Sequence, residues 1–149
     1  MRGFRGFSLI ELVMVVLIIG VLGAIAIPRL SRGSEGARIN AFVNEINSLA
    51  KTIDLYQLET GNQIADATTG QFPSELVGYL HEKSWGATPL GGEWDIERTD
   101  NGVGLAIGVH YQRGNPDSDA LEKVDSIIDD GDFESGAFRR IAPKRFYLV

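Results

Sequence analysis

Two sets of carboxylates in this 149-residue sequence invite chemistry. The first is a run of acids late in the chain, Asp125, Asp129, Asp130, Asp132 and Glu134, bunched around Gly131. Hard oxygen donors this close together suit calcium, which accepts irregular geometry and carbonyl oxygens. Asp125, Asp129, Asp130 and Asp132 are therefore the expected ligands of a Ca2+ ion. The spacing is not that of an EF-hand loop, because the alternation of donors and the bidentate Glu at position twelve are missing. A solvated helix end and turn, with Arg139 and Arg140 pairing with the acids, is the alternative, and surface pairs of that sort contribute little. The second set is a single residue, Glu11, inside an otherwise apolar run.

Other chemistries find little support. His81 and His110 are the only histidines, and they do not form a metal spacing such as two His four apart. Cysteine is absent, so no disulfide, thiolate nucleophile or Cys-ligated zinc exists. The 18 glycines include no phosphate-binding loop, and no strand-turn-helix context marks a nucleophilic serine. The reading is of a protein that is not an enzyme. Its net charge of -6 argues against nucleic acid as a partner.

Glu11 belongs to "GFSLIELVMVVLIIGVLGAIAIP", residues 6–28. From Phe7 to Ile27 it is the only charge, and 21 helical residues span about 32 Å, close to the hydrocarbon thickness of a bilayer. A transmembrane helix is predicted there. Arg2 and Arg5 favour a cytoplasmic N-terminus, whereas Arg29, Arg32 and Arg38 pull the other way. A carboxylate so placed either answers the positive end of the helix dipole or has a partner in protein. The residues alone leave both open.

The stretch "RGFSLIELVMVVLIIGVLGAIAIP" resembles the N-terminal signature of type IV pilins and type II secretion pseudopilins: a short basic leader ending in Gly, then Phe, Ser, Leu, Ile and Glu. The resemblance implies that residues 1–6 are a prepilin leader, 7–27 a transmembrane and filament-core helix, and 28–149 a periplasmic or extracellular head. It implies that a prepilin peptidase cuts between Gly6 and Phe7, that the Phe7 amine is methylated, and that Pro28 marks a helix break. In an assembled filament Glu11 would compensate the positive N-terminus of an adjacent subunit. The partners it implies are identical or homologous pilin-like subunits and an inner-membrane assembly platform. The implied location is the bacterial inner membrane, single-pass with a cytoplasmic N-terminus. A more local similarity of "GQFP", "WG" and "PLGGEWD" to major pseudopilins raises the calcium reading, since those proteins carry such a site near the C-terminus. The rival is a single-pass membrane-anchored binding module that does not polymerise.

The elements that must position these groups follow from periodicity. Gly33 and Gly36 are expected to loosen the first helix. Ile39, Phe42, Val43, Ile46, Leu49, Ala50, Ile53 and Tyr56 then recur at spacings of three and four, an apolar stripe on a helix ending at Thr60-Gly61. Ser74 is expected to cap two helical turns with Leu76, Val77 and Leu80 inward. Strands are predicted over 93–98 and 102–112, joined by "TDNG", and over 136–141 and 145–149. Between the pairs, a helix capped by Asp117 or Ser118 should turn Ala120, Leu121, Val124, Ile127 and Ile128 inward. The fold class expected is α+β and pilin-like, a long N-terminal transmembrane and amphipathic helix packed on a small antiparallel sheet.

Overall fold

The computed structural model describes residues 8–98 and 104–149, with the backbone alone at 23 and 25–33. The predicted cleavage residues Gly6 and Phe7, and the "TDNG" turn, lie outside the described residues. The chain divides into two compact units, the first ending at Gly36 and the second Ala37–Val149. Helix α1, Leu9–Thr60, contributes to both.

In the first unit α1 carries the apolar residues 9–22, all of them well exposed. Among the described residues no helix is long and apolar enough to cross a membrane. That finding overturns the transmembrane helix expected over 7–27, and with it the single-pass topology and the inner-membrane location drawn from it. The described apolar stretch, residues 9–22, also carries the carboxylate of Glu11, a charge that is costly to place in hydrocarbon. Helix α1 runs on through Pro28, Gly33 and Gly36, where the sequence suggests a break and loosening. Proline removes one backbone donor, and helix propagation around it is cooperative, so a single missing bond need not end the element.

The second unit holds the core. There α1 turns Ile39, Phe42, Val43, Ile46, Leu49 and Ile53 inward, and it ends at Thr60 with Gly61 at φ 67, the left-handed conformation that commonly closes a helix. Strands β1 (Glu93–Glu97), β2 (Ala106–His110), β3 (Phe138–Ala142) and β4 (Arg145–Leu148) form an antiparallel sheet in the order β1-β2-β4-β3. Trp94, Ile96, Ile107, Val109, Phe138 and Phe146 join the α1 residues in one apolar cluster. Phe42 stacks on Trp94 at 5.1 Å and meets Phe138 edge-on at 6.2 Å. Gly108 is required where it stands, because a Cβ there would fall 2.6 Å from the Tyr147 Cα on the neighbouring strand.

Helix α2 (Ser118–Ile128) opens on Asp117, whose carboxylate accepts from the Ala120 N–H. Its inner face is Ala120, Leu121, Val124 and Asp125, with Ile128 half-buried, while Ile127 is 53% exposed against expectation. An aspartate occupies the place in the stripe that a pattern of apolar residues would not assign to it. The two-turn helix expected at Ser74 is a single 3-10 turn, Ser74–Leu76, preceded by Pro73. It buries Leu76 and leaves Val77 70% exposed.

Candidate functional site

The acidic run is assembled by the end of α2 and the loop that leads to β3. Asp125, Asp129 and Asp130 bring one carboxylate oxygen each to within 4.8 Å of one another, a grouping able to hold a metal ion. Asp132, expected as a fourth ligand, is not part of that group. Its Oδ1 accepts from the Glu134 N–H at 3.0 Å, a local turn bond.

The three acids differ in role. Asp129 binds the loop together: its Oδ1 accepts from the Asp130 N–H at 2.6 Å, and its Oδ2 from the N–H groups of Ala137 and Phe138, drawing the start of β3 to the end of α2. Gly136, at φ 74, must lack a side chain because a Cβ would strike that carboxylate. Asp130 accepts from the Asp132 N–H at 2.9 Å and the Ser135 hydroxyl at 2.8 Å. Asp125 is fully buried, and neither of its oxygens has a hydrogen-bond donor. Burial raises its proton affinity, and the neighbouring Asp129, Asp130 and Asp132 raise it further. Asp129 is held below the usual carboxylate range by the adjoining Asp125 carboxyl, aided by the backbone N–H groups of Asp130, Ala137 and Phe138. A buried carboxylate without donors, facing two others, is an arrangement that a proton or a cation must balance. Arg140 reaches Glu134 at 2.6 Å rather than the trio.

Glu11 is equally informative. Its Oε2 accepts from the Ser8 N–H at 2.8 Å, while the Leu12 N–H donates to the Ser8 carbonyl. Ser-x-x-Glu is the sequence of a capping box, and here the glutamate supplies its half. That signal is present in the sequence as Ser8 and Glu11, three residues apart.

Residues 1–27 match the prokaryotic N-terminal methylation motif. The N-terminal region thus carries the class III prepilin-like signature, and the methylation motif spans Gly6, Phe7, Ser8 and Glu11 but stops one residue before Pro28. No curated protein and no solved structure matches the chain significantly.

The structure separates the two histidines between different cavities, His81 beside Phe72 and Tyr79, and His110 beside Glu93 and Arg113. It also shows a polar group that the sequence reading missed. Asp95 and Glu97, 2% and 4% exposed, lie on the sheet face opposite the core with Tyr147, which is fully buried. The Tyr147 hydroxyl donates to Asp95 Oδ2 at 2.5 Å, and Arg145 Nη1 donates to Glu97 Oε2 at 2.8 Å. Strand alternation places Asp95 and Glu97 on one face, but nothing in the sequence says that this face is covered.

Proposed function

We propose that this chain is a structural subunit of a helical filament of the type IV pilus or type II secretion pseudopilus kind, a building unit and not a catalyst. The match of residues 1–27 to the methylation motif carries the reading. A prepilin peptidase removes 1–6 by cutting after Gly6, and the new Phe7 amine is methylated. Identical or homologous subunits, guided by an assembly platform, then pack around the apolar part of α1. The exposure of Leu9, Ile10, Leu12 and Leu17, between 60% and 81%, supports this, because a helix apolar on all sides is stable only when covered. Glu11 pairs with the Phe7 amine of a neighbouring subunit as the filament forms, since a charge taken into an apolar core is tolerable only when paired.

The cation that the Asp125, Asp129 and Asp130 group takes is Ca2+. All three are hard oxygen donors, and the unpartnered buried Asp125 fits a cation better than it fits a solvated turn.

Mass spectrometry of the mature N-terminus, on protein from a strain that makes prepilin peptidase, tests the main reading. It should find N-methylated Phe7 as the first residue. A mature chain still beginning at Met1 overturns it.

A further inference from the structure

Residues 61–73 lead from α1 to the Ser74–Leu76 turn, held at their start by the fully buried Ile64 and by Arg98, whose Nη1 donates to the Ile64 carbonyl at 3.3 Å. The Gly70 N–H donates to the Trp94 carbonyl at 2.9 Å, and the Ala67 N–H to the Ile96 carbonyl at 3.4 Å, along the free edge of β1. The one side-chain tie to β2 that accompanies them is Thr69 Oγ1 to His110 Nδ1, at 2.8 Å. His110 Nδ1 also lies 3.7 Å from Asp95 Oδ2, whose partner oxygen Oδ1 is buried without a hydrogen bond. On its other side the imidazole borders a cavity of about 240 Å³ lined by Glu93, Gln112 and Arg113, so it stands between solvent and the buried acids.

We propose that Thr69, His110 and Asp95 form a proton-sensitive clasp, holding residues 67–70 to the sheet edge while His110 is neutral and releasing them when it is protonated. In the neutral tautomer with its proton on Nε2, the bare Nδ1 accepts the Thr69 hydroxyl proton. Protonation turns that nitrogen into a donor, so Thr69 must reverse its hydroxyl, and a cation is placed in a half-covered site.

The charged and titratable groups facing the ring are Asp95 and Glu93 from β1, Arg145 and Tyr147 from β4, and Arg113 just after β2. Burial and the Arg145 charge push His110 below its ordinary value of 6.5, and the attraction of Asp95 and Glu93 does not offset them. Burial pushes Asp95 up, so it loses its charge early on acidification and stops balancing the imidazolium. A histidine whose folded value is depressed gives its full contribution above 6.5 and loses it as the pH falls toward that folded value.

Hydrogen exchange of the full-length chain in a non-ionic detergent, compared at about pH 7.5 and 5.5 on either side of the imidazole's range and corrected for intrinsic rates, tests the clasp. The Ala67 and Gly70 amides should exchange several-fold faster at the lower pH, while the amides of 39–53 in α1 stay unchanged. His110→Asn keeps a polar group near the Nδ1 position that does not titrate, and should exchange alike at both pH values. Thr69→Val should exchange fast at both. A wild-type chain with no pH dependence at 67–70, or a His110→Asn chain that keeps it, overturns the proposal.

Discussion

Between Leu9 and Leu22, α1 displays Leu, Ile, Val and Met side chains that are 48–81% exposed, whereas between Ile39 and Ile53 residues of much the same kind are 0–9% exposed. The two stretches differ in what separates the apolar residues. In the later one Asn40, Asn44, Glu45, Ser48 and Lys51 alternate with them at helical spacing, so a single stripe forms and a sheet can cover it. In the earlier one, residues 12–22 contain no polar side chain at all, so no face is distinguished and no partner within the second unit is implied. Apolar content alone therefore does not predict which residues the chain buries. Each exposed side chain forgoes roughly 25 cal/mol per Å², and that is the free energy a filament would recover.

Truncations on the two stretches would break the comparison most directly. Phe42→Ala should cost about 3–5 kcal/mol, because the ring is fully buried between Trp94 and Phe138. Ile18→Ala should change the stability of the isolated chain by less than about 0.5 kcal/mol, as surface substitutions do, yet lower the yield of filaments. Denaturant unfolding of both variants gives the numbers. A loss at Ile18 approaching that at Phe42 would mean that the first stretch packs within its own chain.

How legible these regions were depended on how local their determinants are. The stripe from Ile39 to Tyr56 and the Asp117 cap could be read because periodicity and cap chemistry need only neighbours in sequence. Ser8 and Glu11 are three residues apart and equally local, but a lone carboxylate in an apolar run points first to its charge and only then to a capping role. Asp125 was legible as an acid and illegible as a core residue. It completes the spacing of Leu121, Val124 and Ile128, and a polar residue in a stripe is normally read as its edge. Asp129 joining α2 to β3, and Tyr147 meeting Asp95 across 52 residues, exist only once the sheet has formed. Ser74 misled because Pro73 and Gly78, the latter at φ 94, leave room for a single turn.

The second unit also contains the group of acids, Asp125 buried and Asp129 and Asp130 exposed, that among the described residues is able to hold a cation, and calcium should sharpen the contrast by stabilising that unit alone. A ligand at one hundred times its dissociation constant adds about 2.7 kcal/mol, which a melting curve of the full chain will register. Asp125 must lose its proton to bind, and burial makes it hold that proton above the usual range. The shift should therefore be larger at pH 8 than at pH 6. Asp125→Asn should abolish the calcium response. In chelator its melting temperature should be no lower than wild type, since the substitution removes a carboxylate that faces Asp129 and Asp130. A calcium response that survives Asp125→Asn, or none in the wild type at millimolar calcium, would leave the acids as a turn.

Substitutions at Glu11 separate two roles that the first stretch assigns to one residue. As the far half of a capping box with Ser8, the side chain needs an acceptor and no charge. As the partner of a neighbour's amine, it needs the charge. Glu11→Gln keeps the acceptor, so the start of α1 should remain as protected from hydrogen exchange as in wild type, and filament assembly should still fail. Glu11→Val removes both, costs the helix start about 1 kcal/mol, and also blocks assembly. Filaments formed normally by Glu11→Gln but not by Glu11→Val would assign Glu11 to the cap alone. The apolar stretch would then need no buried ion pair to pass from exposed to covered.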